Sequence, residues 1–233
     1  ARHHSNQLFI RNHKKKIILI DPDKWKLEDI DMISNYINNN ENIAFVFLGG
    51  SIIKNFNFHK FLSYFKMKIK KPIISFCGGS YQINEQFDAF LIPFPLNTYD
   101  YNYFWTEILK NAILLSQKNV YICGYLLFSN KWASSFIISK AYELSENEDI
   151  ILSFIKVCEI MNFSAIYLES GSGGKNYINP DILAKIREWT NLPLIVGGGI
   201  RDTQTIEKFF KLGADYVVIG NYIEENPKFI SEL

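Results

Sequence analysis

The chain has few cysteines and histidines, the residues from which disulfide frameworks, zinc sites and many nucleophilic mechanisms are built. Its 233 residues include three cysteines, Cys77, Cys123 and Cys158, which are widely spaced and form no C-x-x-C pair. This pattern excludes a disulfide scaffold and indicates reduced, partly buried thiols of a cytoplasmic protein. Three of the four histidines lie within the first 13 residues and the fourth, His59, lies in a helical stretch. We therefore expect neither a zinc site nor a histidine-based mechanism.

The chain also lacks an excess of charge of one sign and a long apolar run. Its 25 basic and 24 acidic residues give a net charge of +1, so no overall field recruits nucleic acid or an anionic membrane. No run approaches the roughly 20 apolar residues of a membrane-spanning helix, and the polar start does not resemble a signal peptide. With 48 % apolar and 21 % charged residues, the composition is typical of a folded globular protein.

What the chain does contain is an alternation of short β-branched or aromatic runs with stretches of helical periodicity. Most of these runs are apolar throughout, as expected of strands buried on both faces. Eight runs predict an α/β fold, a single (β/α)8 TIM barrel over residues 1–233 with a partly flexible segment at 1–14. A doubly wound open sheet is the alternative. The predicted strands are Ile17–Ile20, Ile43–Leu48, Pro72–Phe76, Ala89–Ile92, Val120–Leu127, Ala165–Leu168, Leu192–Val196 and Tyr216–Ile219.

Helical periodicity follows several of these strands but is missing after the third. Only 12 residues separate Phe76 from Ala89, and they include Gly78 and Gly79, so a full helix does not fit there. Absence of this third helix leaves an apolar side groove in the barrel wall. The aromatic segment Tyr99–Trp105 is expected to end that groove. The stretches predicted to be helical are Leu27–Asn38, Ile150–Met161, Pro180–Thr190 and Thr203–Leu212.

Polar and glycine residues collect directly after the predicted strands, where a barrel of this type carries its chemistry. Glycine-rich loops follow the sixth, seventh and eighth strands, at residues 171–174, 197–199 and 220. Glycine allows several backbone N–H groups to approach one anion, so three such loops at one end favour a phosphate site over simple tight turns. The sequence therefore predicts a phosphorylated ligand.

Two carboxylates stand at the same end of the predicted barrel. Asp21 follows the first strand, and with Asp23 it is equally well interpreted as a helix N-cap and turn former around Pro22 or as a hard oxygen ligand for Mg²⁺. Glu169 ends an apolar strand, where packing does not explain it. A carboxylate there is either a general base or an anchor for the hydroxyl groups of a polyol.

Together these motifs resemble the geranylgeranylglyceryl phosphate synthase family, which includes the bacterial heptaprenylglyceryl phosphate synthases. The Asp-Pro-Asp-Lys start combined with a Tyr-Leu-Glu-x-Gly-Ser-Gly segment is the most specific part, because Gly-Gly-Gly-Ile and Gly-Asn occur in many phosphate-binding barrels. The matching segments keep the family's order across nearly the whole chain. They are 19–24 (LIDPDK), 48–51 (LGGS), 167–173 (YLESGSG), 196–201 (VGGGIR), 213–215 (GAD) and 220–221 (GN).

The resemblance implies transfer of a long prenyl group, expected to be geranylgeranyl, from its diphosphate to the 3-hydroxyl of sn-glycerol 1-phosphate. It also implies Mg²⁺ held by Asp21 and Ser51, a prenyl chain lying in the groove left by the missing helix, and a homo-oligomer. Glu169 is then the best-placed base for the attacking hydroxyl. The residues implied to hold glycerol 1-phosphate are Tyr167, Leu168, Glu169, Ser170, Gly171, Ser172, Gly173, Gly198, Gly199, Gly220 and Asn221.

Two other functions fit the phosphate loops. A phosphate-sugar isomerase, aldolase or lyase on the same barrel would share them, but it usually has a lysine, histidine or second carboxylate at the barrel centre, which the sequence does not offer. A barrel that only binds a phosphorylated ligand, as a sensor or scaffold, would share them too. The pair Asp21 and Glu169 favours an enzyme over that third possibility.

Overall fold

The computed structural model describes residues 7–50, 57–76, 84–128, 134–144, 147–170 and 177–233. Within them, eight parallel strands pair in chain order and close into a barrel, because β1 pairs with both β2 and β8. The predicted (β/α)8 barrel is confirmed, and the open sheet is wrong. The strands are β1 Lys15–Ile20, β2 Ile43–Leu48, β3 Ile73–Phe76, β4 Ala89–Pro95, β5 Val120–Leu127, β6 Ala165–Glu169, β7 Leu194–Gly197 and β8 Tyr216–Ile219.

Helices connect most of the strands on the outside of the barrel. The four predicted helical stretches correspond to α1, α5, α6 and α7, with ends shifted by at most two residues. The described helices are α1 Leu27–Asn38, α2 Phe58–Lys68, α3 Asn102–Leu115, α4 Ser134–Ile138, α5 Glu148–Ile160, α6 Pro180–Trp189, α7 Thr203–Lys211 and α8 Asn221–Glu225, followed by a 3₁₀ helix over Pro227–Glu232.

Helix α3 escaped prediction because its apolar residues do not form a single inward stripe. Of its fourteen residues only Leu115 is buried. Trp105, Leu109 and Ile113 lie on its outer side with exposed fractions of 59 %, 58 % and 82 %. A helix with apolar residues on its solvent side lacks the amphipathic signature on which recognition from sequence depends.

The connection between β3 and β4 is as short as the sequence predicts. Its described part, residues 84–88, consists of turns, and a helix is absent from that part. The turns are tied to β3 because the backbone N–H of Ile73 donates to the Asp88 carboxylate at 2.8 Å. Residues 77–83, which complete this connection and with it the predicted groove, lie outside the described residues.

The interior of the barrel is filled by aromatic rings rather than left as a channel. The rings of Phe47 and Phe76 stack with centroids 5.6 Å apart, and Phe76 stacks on Tyr167 at the same distance. At the opposite end, Phe9 from the N-terminal segment is buried against Tyr216 at 5.5 Å. The stack packs against Tyr167 from the barrel interior and so supports the end where β6, β7 and β8 terminate.

Among the described residues, no helix is long and apolar enough to cross a membrane.

Candidate active site

Glu169 is the last residue of β6 and stands at the carboxyl end of the barrel. It lies in register with Leu127 of β5 and Gly197 of β7, so neighbouring strands hold it on both sides. Its backbone oxygen accepts from the N–H of Phe128 at 2.8 Å. The residue is only 8 % exposed. A carboxylate fixed this firmly at a strand end is positioned for chemistry rather than for packing.

Two tyrosine hydroxyls hold the Glu169 carboxylate. Tyr125 of β5 and Tyr167 of β6 lie in register, with ring centroids 5.2 Å apart and planes at 77°. Burial raises the pKa of both phenols well above 10, and the negative charge of Glu169, which accepts a hydrogen bond from each hydroxyl, raises them further. Both phenols therefore stay protonated and act as donors, which fixes the direction of the carboxylate.

Tyr125 is a residue of the site that no sequence motif marks. It lies inside the apolar run of β5 rather than directly after a strand, where the other candidates stand. The signal that could have found it is register, because a polar-tipped residue two positions before the end of β5 faces the equivalent tyrosine of β6.

Gly197, at the end of β7, is required for the placement of Tyr167. A Cβ atom at Gly197 would come within 2.4 Å of the tyrosine Oη, a distance that real Cβ atoms do not show.

Leu168 is fully buried among residues of the layer between strands and helices. The side chain of Leu168 thus faces away from the mouth, and only its backbone can contact a ligand there.

Ser170 closes the base of the loop after β6. It is buried, and its Oγ accepts from the backbone N–H of Ile178 at 2.9 Å. Its own N–H donates to the carbonyl of Gly197 at 2.9 Å, which links this loop to β7. Gly171, Ser172 and Gly173 lie outside the described residues, as does Ser51, so their predicted roles stay predictions.

The loop after β7 has the backbone needed for an anion site. Gly198 and Gly199 have φ angles of 95° and 69°, in the left-handed region that glycine alone enters at little cost. Without a Cβ atom, these two residues leave their backbone N–H groups open to close approach by an anion, and we call this turn the Gly198–Gly199 donor surface. Gly220 and the exposed Asn221 stand at the neighbouring strand end, where β8 leads into α8.

Arg201 links these two loops from outside the site. Its guanidinium pairs with the Glu225 carboxylate at 2.6 Å and lies 4.5 Å from the centre of the Tyr222 ring. Both partners belong to α8, whereas Arg201 follows the glycines of the β7 loop. The residue therefore joins the loops to each other, and its charge is already matched by Glu225.

Asp21 forms the turn after β1. Its Oδ1 accepts from the N–H of Asp23 at 2.9 Å, and its carbonyl accepts from the N–H of Lys24 at 2.9 Å. Helix α1 begins only at Leu27 with Lys26 as its N-cap residue, so Asp21 is a turn former and the N-cap interpretation is wrong. Burial raises the pKa of Asp21, and the nearby Asp23 charge acts in the same direction.

The surroundings of Asp21 fit a hard cation. Its carboxylate lies over Gly50, where a Cβ atom would come within 3.1 Å of Oδ2, so the loop that continues into Ser51 is beside it. The pKa of Glu224 in α8 is also raised, first by burial and then by the charge of Asp21. Oxygen donors in a half-buried site with accumulated negative charge are the set that Mg²⁺ prefers.

Comparison with known proteins agrees with this geometry. The model of the PcrB family matches residues 9–233. A geranylgeranylglyceryl phosphate synthase from Flavobacterium johnsoniae is 32 % identical over 216 residues, covering 91 % of this chain and 88 % of the relative. The crystal structure of (S)-3-O-geranylgeranylglyceryl phosphate synthase from Thermoplasma acidophilum in complex with sn-glycerol-1-phosphate is also similar. Its TM-score is 0.85 at 26 % identity, covering 95 % of this chain and 90 % of that one.

A more distant solved structure shares only the barrel. The N-acetylmannosamine-6-phosphate 2-epimerase from Clostridium perfringens has a TM-score of 0.61 at 11 % identity, covering 100 % of this chain and 97 % of that chain. That likeness shows the fold alone, whereas the family match and the 32 % identity extend over nearly all of the chain. The chain belongs to the PcrB family.

Proposed function

We propose that the protein transfers a long prenyl group, geranylgeranyl in the first instance, from its diphosphate to the 3-hydroxyl of sn-glycerol 1-phosphate. The observation that carries this proposal is the Glu169 carboxylate, buried and held by two phenols at the same barrel end as the Gly198–Gly199 donor surface. A hydroxyl-activating base and a phosphate site within one mouth are what a phosphorylated polyol requires. The similar Thermoplasma protein has sn-glycerol-1-phosphate bound.

The chain's own residues supply binding and proton transfer. Backbone N–H groups of Gly198 and Gly199, with Gly220 and Asn221, receive the phosphate. Tyr167, Glu169 and the residues that follow them to Gly173 are proposed to contact the glycerol. The 3-hydroxyl oxygen attacks the first carbon of the prenyl group, the carbon–oxygen bond to diphosphate breaks, and its electron pair leaves with the diphosphate. Glu169 accepts the hydroxyl proton as the new bond forms.

The proposed cofactor is Mg²⁺, which Asp21 and Ser51 would hold. When bound, the ion neutralises charge on the departing diphosphate. Asp21 suits this role because burial and nearby negative charge raise its pKa, so a cation beside it relieves an unfavourable arrangement.

One assay separates this function from its alternatives. The protein is incubated with sn-glycerol 1-phosphate and labelled geranylgeranyl diphosphate, with and without Mg²⁺, and an organic extract is analysed for prenyl ether. Ether that depends on both substrates supports the transferase. Glycerol phosphate binding without ether supports a phosphate-binding barrel, and turnover of a sugar phosphate with no ether supports an isomerase, aldolase or lyase.

We also propose that the chain forms a homo-oligomer through the outer face of α3 and α5. These helices flank β5, whose outward residue Ile122 is exposed as well. Together, nine exposed apolar residues offer an area on the order of the 800 Å² per partner of a stable interface. The face comprises Tyr103, Trp105, Leu109, Ile113, Leu114, Ile122, Val157, Ile160 and Met161.

Sedimentation equilibrium tests this self-association. Ile113→Asp places a charge on the face and is expected to convert the oligomer to monomer. Met67→Asp is the matched control, because Met67 is nearly as exposed (78 % against 82 %) but belongs to α2, which is not part of the proposed face. Equal masses for both variants would contradict the assignment.

The cytoplasmic location expected from the sequence stays a prediction.

A further inference from the structure

Residues 134–144, here called the strap, lie against the barrel mouth beside Glu169. Phe136 in α4 is buried and belongs to the cluster of side chains that fills the barrel interior. The strap thus inserts a ring into the interior at the carboxyl end of β5. None of the sequence motifs discussed above includes it.

Hydrogen bonds tie the strap to the end of β4. Thr98 and Ala141 form an antiparallel bridge, and Thr98 Oγ1 donates to the carbonyl of Ser139 at 2.6 Å. The fully buried Asn97 donates from Nδ2 to the carbonyl of Tyr142 at 2.7 Å. The backbone N–H of Tyr142 donates to the carbonyl of Asn97 in return, at 3.0 Å.

The same asparagine fixes the end of β5. Asn97 Nδ2 also donates to the carbonyl of Leu127 at 2.9 Å, and its Oδ1 accepts from the N–H of that residue at 3.0 Å. Asn97 therefore joins the strap, the end of β4 and the end of β5 through hydrogen bonds. These bonds hold the strap beside Tyr125, which lies two residues before Leu127.

Ser135 is the strap residue that uses this position. Its hydroxyl donates to the phenolic oxygen of Tyr125, whose own hydroxyl donates to the Glu169 carboxylate. A phenol oxygen that accepts from one side has its O–H direction restricted, and successive hydrogen bonds strengthen one another. Ser135, Tyr125 and Glu169 form a chain of donors that ends on the carboxylate.

We propose that Ser135 is a positioning residue of the transfer reaction, which directs the Tyr125 hydroxyl onto Glu169 and so holds the base in its attacking geometry. This inference rests on the proposed function. Ser135 acts only through Tyr125, since the phenol stands between it and the carboxylate. The strap thus extends the site by a residue that contacts neither proposed substrate.

The effect of removing this hydroxyl follows from the chain. In Ser135→Ala the phenol O–H turns more freely, and Glu169 loses part of one hydrogen bond. We expect kcat to fall about fivefold, as for loss of one neutral hydrogen bond. The KM for sn-glycerol 1-phosphate changes less than kcat, because the proposed phosphate-binding glycines are separate from the strap.

The pH profile gives a second readout. Fewer donors favour the protonated carboxyl, so the acidic limb of kcat/KM shifts to higher pH in Ser135→Ala. The described titratable groups around Glu169 are Tyr125 and Cys123 on β5 and Tyr167 on β6. Burial raises the pKa of all three, so they stay neutral across that limb.

A double-mutant cycle tests the proposal. Prenyl ether formation is measured for wild type, Ser135→Ala, Tyr125→Phe and the double variant, together with Ser135→Thr. The expected result is a fivefold loss in Ser135→Ala, no further loss when the serine change is added to Tyr125→Phe, and recovery in Ser135→Thr. Ser139→Ala is the matched control, because that residue holds the strap through its backbone carbonyl and should keep wild-type kcat.

The possible results separate failure of the Ser135 positioning role from failure of the proposed function. An additive loss in the double variant, or an equal loss in Ser139→Ala, would assign Ser135 to strap stability and overturn the proposal. Unchanged kcat and pH profile in Ser135→Ala would overturn it as well. Absence of prenyl ether in the wild type would instead refute the proposed function, and the positioning role would fall with it.

Discussion

Buried charged side chains have different partners at the two ends of the barrel. At the amino end, Asp215 is 1 % exposed and pairs with Arg187 at 2.9 Å. It also accepts from the N–H groups of Asn12 at 2.6 Å and Leu194 at 2.8 Å. Arg187 donates in addition to three backbone carbonyls. The charges of Asp215 and Arg187 are thus matched by each other and by backbone groups.

At the carboxyl end, by contrast, two half-buried carboxylates lie close enough to repel each other. Asp21 and Glu224 are both half-buried, and the pKa of each is raised by burial, with the charge of Asp21 raising that of Glu224 further. Gly198 and Gly199 adopt positive φ angles that would strain other residues, and an anion can closely approach their backbone N–H groups. One end is therefore arranged for stability and the other for ligands, as is usual for this barrel.

The largest expected effect is on stability and belongs to the amino end. All described partners of Asp215 are donors, so in Asp215→Asn the new NH₂ group faces donors and Arg187 loses its counter-charge. Breaking a buried pair of this kind costs about 3–5 kcal/mol, which denaturant unfolding measures. Asp31→Asn, which removes an exposed pair with Lys68, is the control and should lose far less. Equal losses would contradict the assignment of the amino end.

The next effect is on catalysis and belongs to the carboxyl end. We expect Glu169→Gln to lower turnover at least 100-fold while the fold survives, since loss of a general base typically costs about 10²–10⁴. Glu188→Gln, the same change on the exposed side of α6, is the control. Near-normal turnover in a folded Glu169→Gln protein would remove this residue from the mechanism.

A smaller and more selective effect is expected at Asp21. Asp21→Asn should weaken Mg²⁺ dependence and raise the KM for the prenyl diphosphate roughly tenfold, about 1.4 kcal/mol, with little change for sn-glycerol 1-phosphate. Initial rates at varied Mg²⁺ and varied concentrations of each substrate measure the difference. An equal loss for both substrates would mean that Asp21 only shapes the turn.

The smallest effect is the pH dependence of the amino end. His13 Nδ1 lies 2.8 Å from the Tyr216 hydroxyl, and burial, followed by the charge of Lys15, lowers the pKa of His13 below 6.5. The unfolded chain then binds more protons than the folded one, so stability is lost as the pH falls below 6.5. Unfolding midpoints at pH 7.5 and 5.5 should differ more in wild type than in His13→Gln. Identical differences would remove His13 from the pH dependence.

How much could be foreseen differs between these regions for physical reasons. Strands buried on both faces leave continuous apolar runs, so β2, β5 and β8 were predicted with their observed ends. Strand β4 continues past its predicted end, Ile92, to Pro95. Beyond Leu91 it pairs with β5 alone, so a proline in this part interrupts no hydrogen-bond ladder towards β3. These predictions rest on the pattern of apolar residues along the chain and on the residues that form turns.

Position along the chain pointed to candidate carboxylates only at strand ends: Asp21 directly follows β1, and Glu169 is the last residue of β6. Tyr125 and Ser135 were not identified, because their places depend on register between β5 and β6 and on the strap's attachment through Asn97. Such contacts join residues far apart in the chain, and no local pattern encodes them.

The measurement that tests the division between the two ends most directly compares Glu169→Gln with Asp215→Asn, recording turnover per folded molecule and the unfolding midpoint for both. We expect Glu169→Gln to lose at least 100-fold in turnover and to keep a midpoint near that of wild type, because the two tyrosine hydroxyls beside it can accept as well as donate. We expect Asp215→Asn to keep its turnover with a clearly lowered midpoint. A Glu169→Gln protein that is active, or an Asp215→Asn protein that is stable but inactive, would contradict this division.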